Sequence, residues 1–251
     1  SNGLIATNYH LIENAATAQF IFHNGQVYQG KTTVVGLDQQ RDIALLQIEK
    51  TGLTPALISE TFAVGDAVTA IGAPNAVRNT ATTGVIAGFD QDMISATAVI
   101  AKGSSGGGLF DASDKLIGIT SSFGNGQYHS IPISDFLQVP RGLSIPLENI
   151  KDYPYTPEAP QNLRFTKERN YAYVSWAPVY GAEYYYVYTA NSENGKYTKL
   201  KNPTLKSDIW YWGFPQSFGI SINPKRPYYM KVSAVVNGVE TPLSPPLKIC
   251  R

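Results

Sequence analysis

A chain of 251 residues is long enough to form one large domain or two smaller ones, each with its own hydrophobic core. The formal net charge is +1 and only 16% of the residues are charged, so no electrostatic argument favours a nucleic acid or an anionic membrane as partner. The single cysteine, Cys250, excludes an internal disulfide and a thiolate cluster, and no cofactor or metal is expected. No apolar run is long enough to span a bilayer.

The first 150 residues predict short β-strands separated by turns. Asn24-Gly25 lies between the predicted strands 18–22 and 26–30, and Asn-Gly is typical of a tight hairpin because both turn positions tolerate positive φ. Strands are then predicted at 32–37 and 43–48, on either side of Asp42, and a second set at 82–89, 94–100, 109–111, 116–121 and 128–133. With 16 Tyr, 22 Gly and 16 Pro, the chain is predicted to be all-β.

Three polar residues in this part could form a catalytic site. Ser105 stands in a glycine-rich turn, and a serine hydroxyl becomes a good nucleophile only beside a base that is itself oriented by an acceptor. His10 ends an apolar run and Asp42 begins one, so the chain offers both partners. Each residue alone is more typical of a structural role, and Ser104 is a weaker second candidate for the nucleophile.

The segments around these residues resemble a known family. Thr7-Asn8-Tyr9-His10, the DIALL run from Asp42 and the GSSGGGLF run 103–110 resemble the His, Asp and Ser motifs of trypsin-like (chymotrypsin-fold) serine proteases, closest to the bacterial HtrA type. The resemblance implies a triad of His10, Asp42 and Ser105, with an oxyanion hole from the backbone N–H groups of Gly103 and Ser105.

The resemblance also implies an architecture. Two six-stranded antiparallel β-barrels are expected, with the catalytic groups in the cleft between them. The first barrel is expected to be incomplete at its amino-terminal end, because proteases of this type have two more strands before the His strand. Two positions depart from the family pattern: Ser104 replaces the aspartate that trypsin uses in zymogen activation, and Gly108 replaces a proline. A loosened oxyanion turn is therefore expected.

Family registration also assigns the primary specificity pocket. Val99 stands where trypsin has its cation-binding aspartate, which favours cleavage after a small or apolar residue. His129 is expected at the rim, exposed to water, with a contact to an acidic substrate side chain as the alternative. The residues expected to bind substrate are Val99, Thr120, Ser121, Ser122 and His129.

Residues 151–158 are predicted to form a stiff proline-rich linker between a protease domain, 1–150, and a second domain, 159–251. The second domain resembles a fibronectin type III β-sandwich, with clear strand alternation leading to Trp176 at the place of that family's core tryptophan. An aromatic burst at Trp210 and Trp212 is more typical of core packing, with a partner-binding or sugar-binding patch as the alternative.

These observations favour a serine endopeptidase that hydrolyses polypeptide substrates through an acyl-enzyme. The fibronectin-like module would bind substrate, or a protein or glycan partner, and the resemblance implies a location outside the cytoplasm, in a periplasm, at the cell surface or secreted. The alternative is a catalytically silent binding or adhesion protein that uses the protease fold as a scaffold. A chaperone-like binder of unfolded chains is a third possibility.

Overall fold

The computed structural model describes residues 3–90, 92–124, 127–154, 157–168, 171–177, 179, 181–201, 204–206, 216–221 and 228–249. The chain divides into two compact units, residues 1–155 and 156–251. Strands dominate both units, so the prediction of an all-β chain is confirmed. The first unit contains β1 (Leu4–Thr7), β2 (Phe20–Ile21), β3 (Val27–Tyr28), β4 (Thr32–Asp38), β5 (Ile43–Ile48), β6 (Ala67–Gly72), β7 (Thr80–Asp90), β8 (Met93–Ala96), β9 (Gly108–Asp111), β10 (Leu116–Gly124), β11 (Gln127–Pro132), helix α1 (Ile133–Gln138) and β12 (Ile145–Pro146).

The first half of this unit is an open sheet rather than a barrel. Four strands pair in the order β1-β5-β4-β12, and the hairpin β2–β3 forms a separate two-stranded sheet. The predicted Asn-Gly hairpin is confirmed: Gly25 has φ +80° and Asn24 Oδ1 accepts the Gln26 N–H at 3.0 Å. Because β2 and β3 pair only with each other among the described residues, the four-stranded sheet is a half-barrel, in agreement with the expectation that the first barrel is incomplete.

The second half of the unit is a closed six-stranded barrel, as predicted. Its strands follow each other in the order β10-β11-β8-β7-β6-β9. Alternate side chains of these strands point inward, and the interior is packed with aliphatic residues. The buried members of this core are Val68, Ala70, Ile86, Ile94, Ala96, Ala98, Ile100, Leu109 and Ile117.

An apolar seam joins the open sheet to the barrel. Ile43 and Leu45 of β5 pack in one buried cluster with Ile119 of β10 and Ile131 of β11. Helix α1, which begins directly after β11, closes this cluster with Phe136. Strand β5 starts one residue after Asp42, and β10 runs on from Ile119 to Ser121. The seam therefore positions the segment that carries Asp42 relative to the segment that carries Ser121.

The second unit consists of two sheets. Its strands are β13 (Arg164–Glu168), β14 (Tyr171–Trp176), β15 (Ala182–Ala190), β16 (Thr198–Lys199), β17 (Thr204–Lys206), β18 (Gln216–Ser221), β19 (Tyr228–Val236), β20 (Val239–Glu240) and β21 (Leu247–Ile249). Strands β13-β14-β18 form one sheet and β16-β15-β19-β20 the other, with β17 paired to β15 and β21 to β19.

The core of the second unit is aromatic. Trp176 is fully buried, and its ring lies 5.4 Å from that of Tyr185, edge to face. The Tyr185 hydroxyl accepts the Val179 N–H at 2.8 Å, and burial raises the pKa of Tyr185. The identification of this unit as a fibronectin type III domain stays a prediction, and the aromatic burst at Trp210 and Trp212 lies outside the described residues.

Candidate active site

The pairing of β1 with β5 brings His10 to Asp42. Thr7 at the end of β1 lies opposite Ala44 near the start of β5, so the residues after Thr7 face those before Ala44. Tyr9 N–H donates to the Asp42 carbonyl at 3.1 Å, and His10 N–H donates to Asp42 Oδ1 at 2.8 Å. A short 3-10 turn over Tyr9–Leu11 then aims the imidazole at the carboxylate.

Asp42 is buried and tightly bound. Its φ is +60°, in the left-handed region that Asp tolerates better than most residues, at the end of a turn in which Asp38 Oδ1 accepts the Arg41 N–H. Its side chain is 4% exposed, and Oδ2 accepts hydrogen bonds from His10 Nδ1 at 2.8 Å and from Ser121 Oγ at 3.1 Å. With the His10 N–H on Oδ1, three donors hold this carboxylate.

This arrangement defines the chemistry of His10. Burial alone would lower the pKa of His10, but the hydrogen bond and negative charge of Asp42 outweigh it and raise the pKa. A carboxylate on Nδ1 requires that nitrogen to carry the proton, which leaves Nε2 of the neutral ring free to accept one. The side chain is 29% exposed, so Nε2 can reach a reacting group in the cleft.

The serine turn lies against the His10 segment. Gly106, next to Ser105, has φ +80°, and a Cβ built on it would stand 2.8 Å from Thr7 Oγ1 and 2.9 Å from Leu11. The Ser105 hydroxyl donates to the Ser121 carbonyl oxygen at 2.9 Å. Within the described part of the chain, no hydrogen bond joins it to His10. Ser121 therefore contacts both halves of the site, through its carbonyl and through its hydroxyl on Asp42.

Backbone hydrogen bonds hold the turn before Ser105. Ser104 N–H donates to Ala101 O at 2.9 Å and Gly103 has φ +97°, while Lys102 O accepts the Asn75 N–H at 2.9 Å. The C=O and N–H of one trans peptide point in opposite directions, so the Gly103 N–H points away from Asn75. Gly103 is exposed, and its N–H donates to no other described residue.

Ser104 is part of this support and is not placed as a nucleophile. It is 3% exposed, and its hydroxyl accepts the Ala101 N–H at 3.3 Å. Its carbonyl accepts hydrogen bonds from the Gly107 N–H and from Thr120 Oγ1. The expectation of a turn loosened by Gly108 is not met, because Gly108 is the first residue of β9 and pairs with strands on both sides.

The residues predicted to bind substrate fall into two groups. Val99 is exposed and Ser122 is half-buried. Thr120 is 1% exposed and its hydroxyl is used under the serine turn, on the carbonyls of Ser104 and Gly107. Through these bonds Thr120 stabilises the backbone on both sides of Ser105.

The expectation that His129 is exposed to water is wrong. His129 is 3% exposed, and its Nδ1 lies 3.2 Å from Ser95 Oγ on the neighbouring strand β8. Burial lowers the pKa of His129, with Asp90 acting in the opposite direction. Burial, without a hydrogen-bond acceptor for a second ring proton among the described residues, favours the neutral form of His129.

One residue of the site was not singled out from the sequence. Asn8 is fully buried, and its Nδ2 donates to the Asp42 carbonyl at 3.3 Å. Its Oδ1 has no hydrogen-bond partner among the described residues. The available signal was a polar side chain two residues before His10, at the end of an otherwise apolar strand.

Comparisons with known proteins cover the part of the chain that contains these residues. Residues 1–119 match the family model of the trypsin-like peptidase domain. Protease Do-like 1, chloroplastic, of Arabidopsis thaliana is 38% identical over 136 residues, which cover 48% of this chain and 30% of that protein. A probable periplasmic serine endoprotease DegP-like of Chlamydia trachomatis is 35% identical over 144 residues, which cover 52% of this chain and 28% of that protein.

A solved structure gives the same result for the fold. An HtrA-type protease determined with a tripeptide superposes with a TM-score of 0.53 at 25% identity, covering 67% of this chain and 59% of that one. The chain spans less than a third of the length of the two curated relatives. Residues 1–119 are therefore similar to the trypsin-like peptidase domain, and the chain resembles HtrA-type serine proteases in sequence and shares their chymotrypsin-like fold.

Proposed function

We propose that this protein is a serine endopeptidase with His10, Asp42 and Ser105 as its catalytic triad. The observation that carries the proposal is the buried Asp42 carboxylate, which binds both the ring and the backbone of His10 at 2.8 Å beside the serine turn. Such a pairing fixes the tautomer of a general base and stabilises its protonated form.

The proposed reaction begins with a rotation of the Ser105 hydroxyl from the Ser121 carbonyl towards His10 Nε2. As Ser105 Oγ attacks the peptide carbonyl, Nε2 takes its proton, and the N–H groups of Gly103 and Ser105 stabilise the oxyanion. The C–N bond then breaks, His10 gives the proton to the leaving amine, and water hydrolyses the acyl-enzyme by the same path.

Three finer points belong to the same proposal. The exposed Val99 supports cleavage after small or apolar residues, since it offers no charge to a Lys or Arg side chain. Residues 159–251 are proposed to act as a fibronectin type III module that binds substrate or a partner. The similarity to a probable periplasmic serine endoprotease supports a location outside the cytoplasm. Among the described residues, no helix combines the length and hydropathy that a membrane span requires.

A fluorophosphonate probe tests the triad directly. The probe should label the wild-type protein and the Ser113→Ala variant, whose serine is exposed on the β9–β10 turn, but not the Ser105→Ala or His10→Ala variants. Labelling of the Ser105→Ala variant would contradict the proposal. So would an unlabelled wild-type protein that circular dichroism shows to be folded. The second result would favour the silent binding scaffold.

A further inference from the structure

A cavity of about 390 Å³ lies within the first unit. Ile21, Phe22, His23 and Gly25 line it from the tip of the β2–β3 hairpin, and Arg78 and Asn79 line it from the loop between β6 and β7. We call it the hairpin cavity. None of its residues has a place in the proposed triad or specificity pocket.

The loop that bears Arg78 also touches the serine turn. The Asn75 N–H of this loop donates a hydrogen bond to the Lys102 carbonyl oxygen. The loop also packs closely on Gly103, since a Cβ built there would lie 2.5 Å from the Ala73 carbonyl oxygen. Strand β9, which follows the serine turn, lies between β10 and β6 in the barrel. Ser121 of β10 and the loop after β6 are therefore on opposite sides of Ser105.

This placement separates the two ends of a substrate. The acyl part, before the scissile bond, is proposed to lie along Thr120–Ser122 of β10. The part after the scissile bond must then continue towards the β6 side, where the loop leads to Arg78 and the hairpin cavity. The loop that bears Arg78, and with it the hairpin cavity, therefore lies on the side of Ser105 where the leaving segment would continue.

The lining of the cavity is suited to a carboxylate on a short aliphatic stem. Arg78 forms no ion pair with any other described residue, and no Asp or Glu lines the cavity. Lys50 Nζ lies 5.3 Å from the centre of the Phe22 ring and adds a second cation at this edge. Ile21 and Phe22 offer apolar surface to the stem, and a guanidinium binds carboxylates through paired N–H groups.

We propose that the hairpin cavity is a subsite for a carboxylate carried by the leaving part of a polypeptide substrate, with Arg78 as its main contact. The proposal rests on the proposed function, because it needs a peptide bond held at Ser105. Two sources share this chemistry, an acidic side chain a few residues after the scissile bond and the carboxyl terminus of a short substrate.

Three quenched fluorescent peptides distinguish these sources. All carry the same residues before the scissile bond; after it, one has Glu and an amidated end, one has Gln and a free carboxylate, and one has Gln and an amidated end. We expect wild type to cleave one or both carboxylate peptides with a kcat/KM about fivefold higher than the neutral one, or about 1 kcal/mol, with the preference shrinking at high salt.

Variants at position 78 locate the effect. Arg78→Ala should abolish the preference, Arg78→Lys should keep part of it, and Arg78→Glu should reverse it. Lys115→Ala, which removes an exposed cation from the β9–β10 turn, is the matched control and should keep the full preference. Equal cleavage of the three peptides by wild type, or an unchanged preference in Arg78→Ala, would overturn the proposal.

An activated ester separates this inference from the proposed function. Its leaving alcohol carries no residues, so its hydrolysis depends on the triad and not on the hairpin cavity. The subsite is supported if wild type and Arg78→Ala hydrolyse the ester at equal rates and only the variant loses the preference for carboxylate peptides. A loss of ester turnover in Arg78→Ala would give Arg78 a different role and overturn it. No ester turnover in wild type would refute the proposed function itself.

Discussion

Replacing Asn8 by Ala removes a buried contact behind the proposed triad. The Nδ2 group donates to the Asp42 carbonyl at 3.3 Å, but that oxygen also accepts the Tyr9 N–H at 3.1 Å, so it does not become unsatisfied. The lost hydrogen bond is worth about 0.5–1.5 kcal/mol. Loss of Oδ1, which has no partner among the described residues, costs no hydrogen bond. With a small void added, we expect a stability loss of about 1–2 kcal/mol.

The same change should appear in catalysis as a loss of orientation. If all of about 2 kcal/mol were lost from the transition state, kcat/KM would fall about 30-fold, which sets the upper limit of the effect. Because Asp42 raises the pKa of His10, a less well-held carboxylate should also move the acid limb of the kcat/KM profile to lower pH.

Ester hydrolysis from pH 5 to 9 and urea unfolding measure both effects of Asn8→Ala. Asn149→Ala, an exposed asparagine of the same unit, is the matched control and should change neither. If the Asn8→Ala variant keeps the stability of the wild type and the acid limb of its kcat/KM profile does not shift, Asn8 does not position Asp42. A loss of stability without any change in kcat/KM or its pH profile would make Asn8 a structural residue only.

Three further predictions follow from named contacts. The kcat/KM of wild type should rise with pH through a midpoint above 6.5, because the raised pKa of His10 keeps the base protonated at lower pH. Burial lowers the pKa of His129 in the folded protein, so the unfolded chain takes up this proton first as the pH falls below 6.5. The free energy of unfolding should therefore decrease with falling pH in this range. The His129→Gln variant should lose the part of this pH dependence that comes from His129. Gly103→Ala should reduce kcat about 100-fold or more, since a Cβ would meet the Ala73 carbonyl and displace the proposed oxyanion donor.

Each of these has a specific control. A midpoint at or below 6.5 would contradict the coupling of His10 to Asp42. Equal slopes of unfolding free energy against pH in wild type and His129→Gln, measured by urea titration, would mean that His129 titrates normally. The control is Gly142→Ala, where a Cβ meets nothing within 4 Å, and it should keep the kcat of the wild type. If Gly103→Ala also keeps that kcat, the serine turn accommodates the added Cβ without loss of activity.

The sequence allowed prediction of features that depend on local pattern. Alternation and turn residues predicted most strands of the closed barrel, and Asn24-Gly25 predicted a hairpin, because both signals act over a few residues. The motifs around His10 and Asp42 predicted a pair that the structure brings within 2.8 Å, although their assigned roles stay proposals. Sequence patterning could not show that β2 and β3 pair only with each other among the described residues.

Partners that are distant in the chain were not predictable. The hydroxyl of Ser121 meets a carboxylate 79 positions away, and Asn8 meets a carbonyl 34 positions away, so both contacts depend on the packed tertiary structure. His129 was misjudged because a strand near a pocket can turn a side chain to either face, and a one-residue register decides which. The bulge between Thr120 and Ser122 makes that register irregular in β10.

The apolar seam is a place where the proposed activity can be lost while the two sheets stay folded. Ile43 and Leu45 on one side and Ile119 and Ile131 on the other align two sheets, each of which has its own hydrogen-bonded ladder. Heat or a cavity in the seam would therefore shift the proposed base relative to the proposed nucleophile while both ladders persist. Thermal inactivation is expected at a lower temperature than the loss of β-structure, so that the half-life of activity measures the packing of the seam.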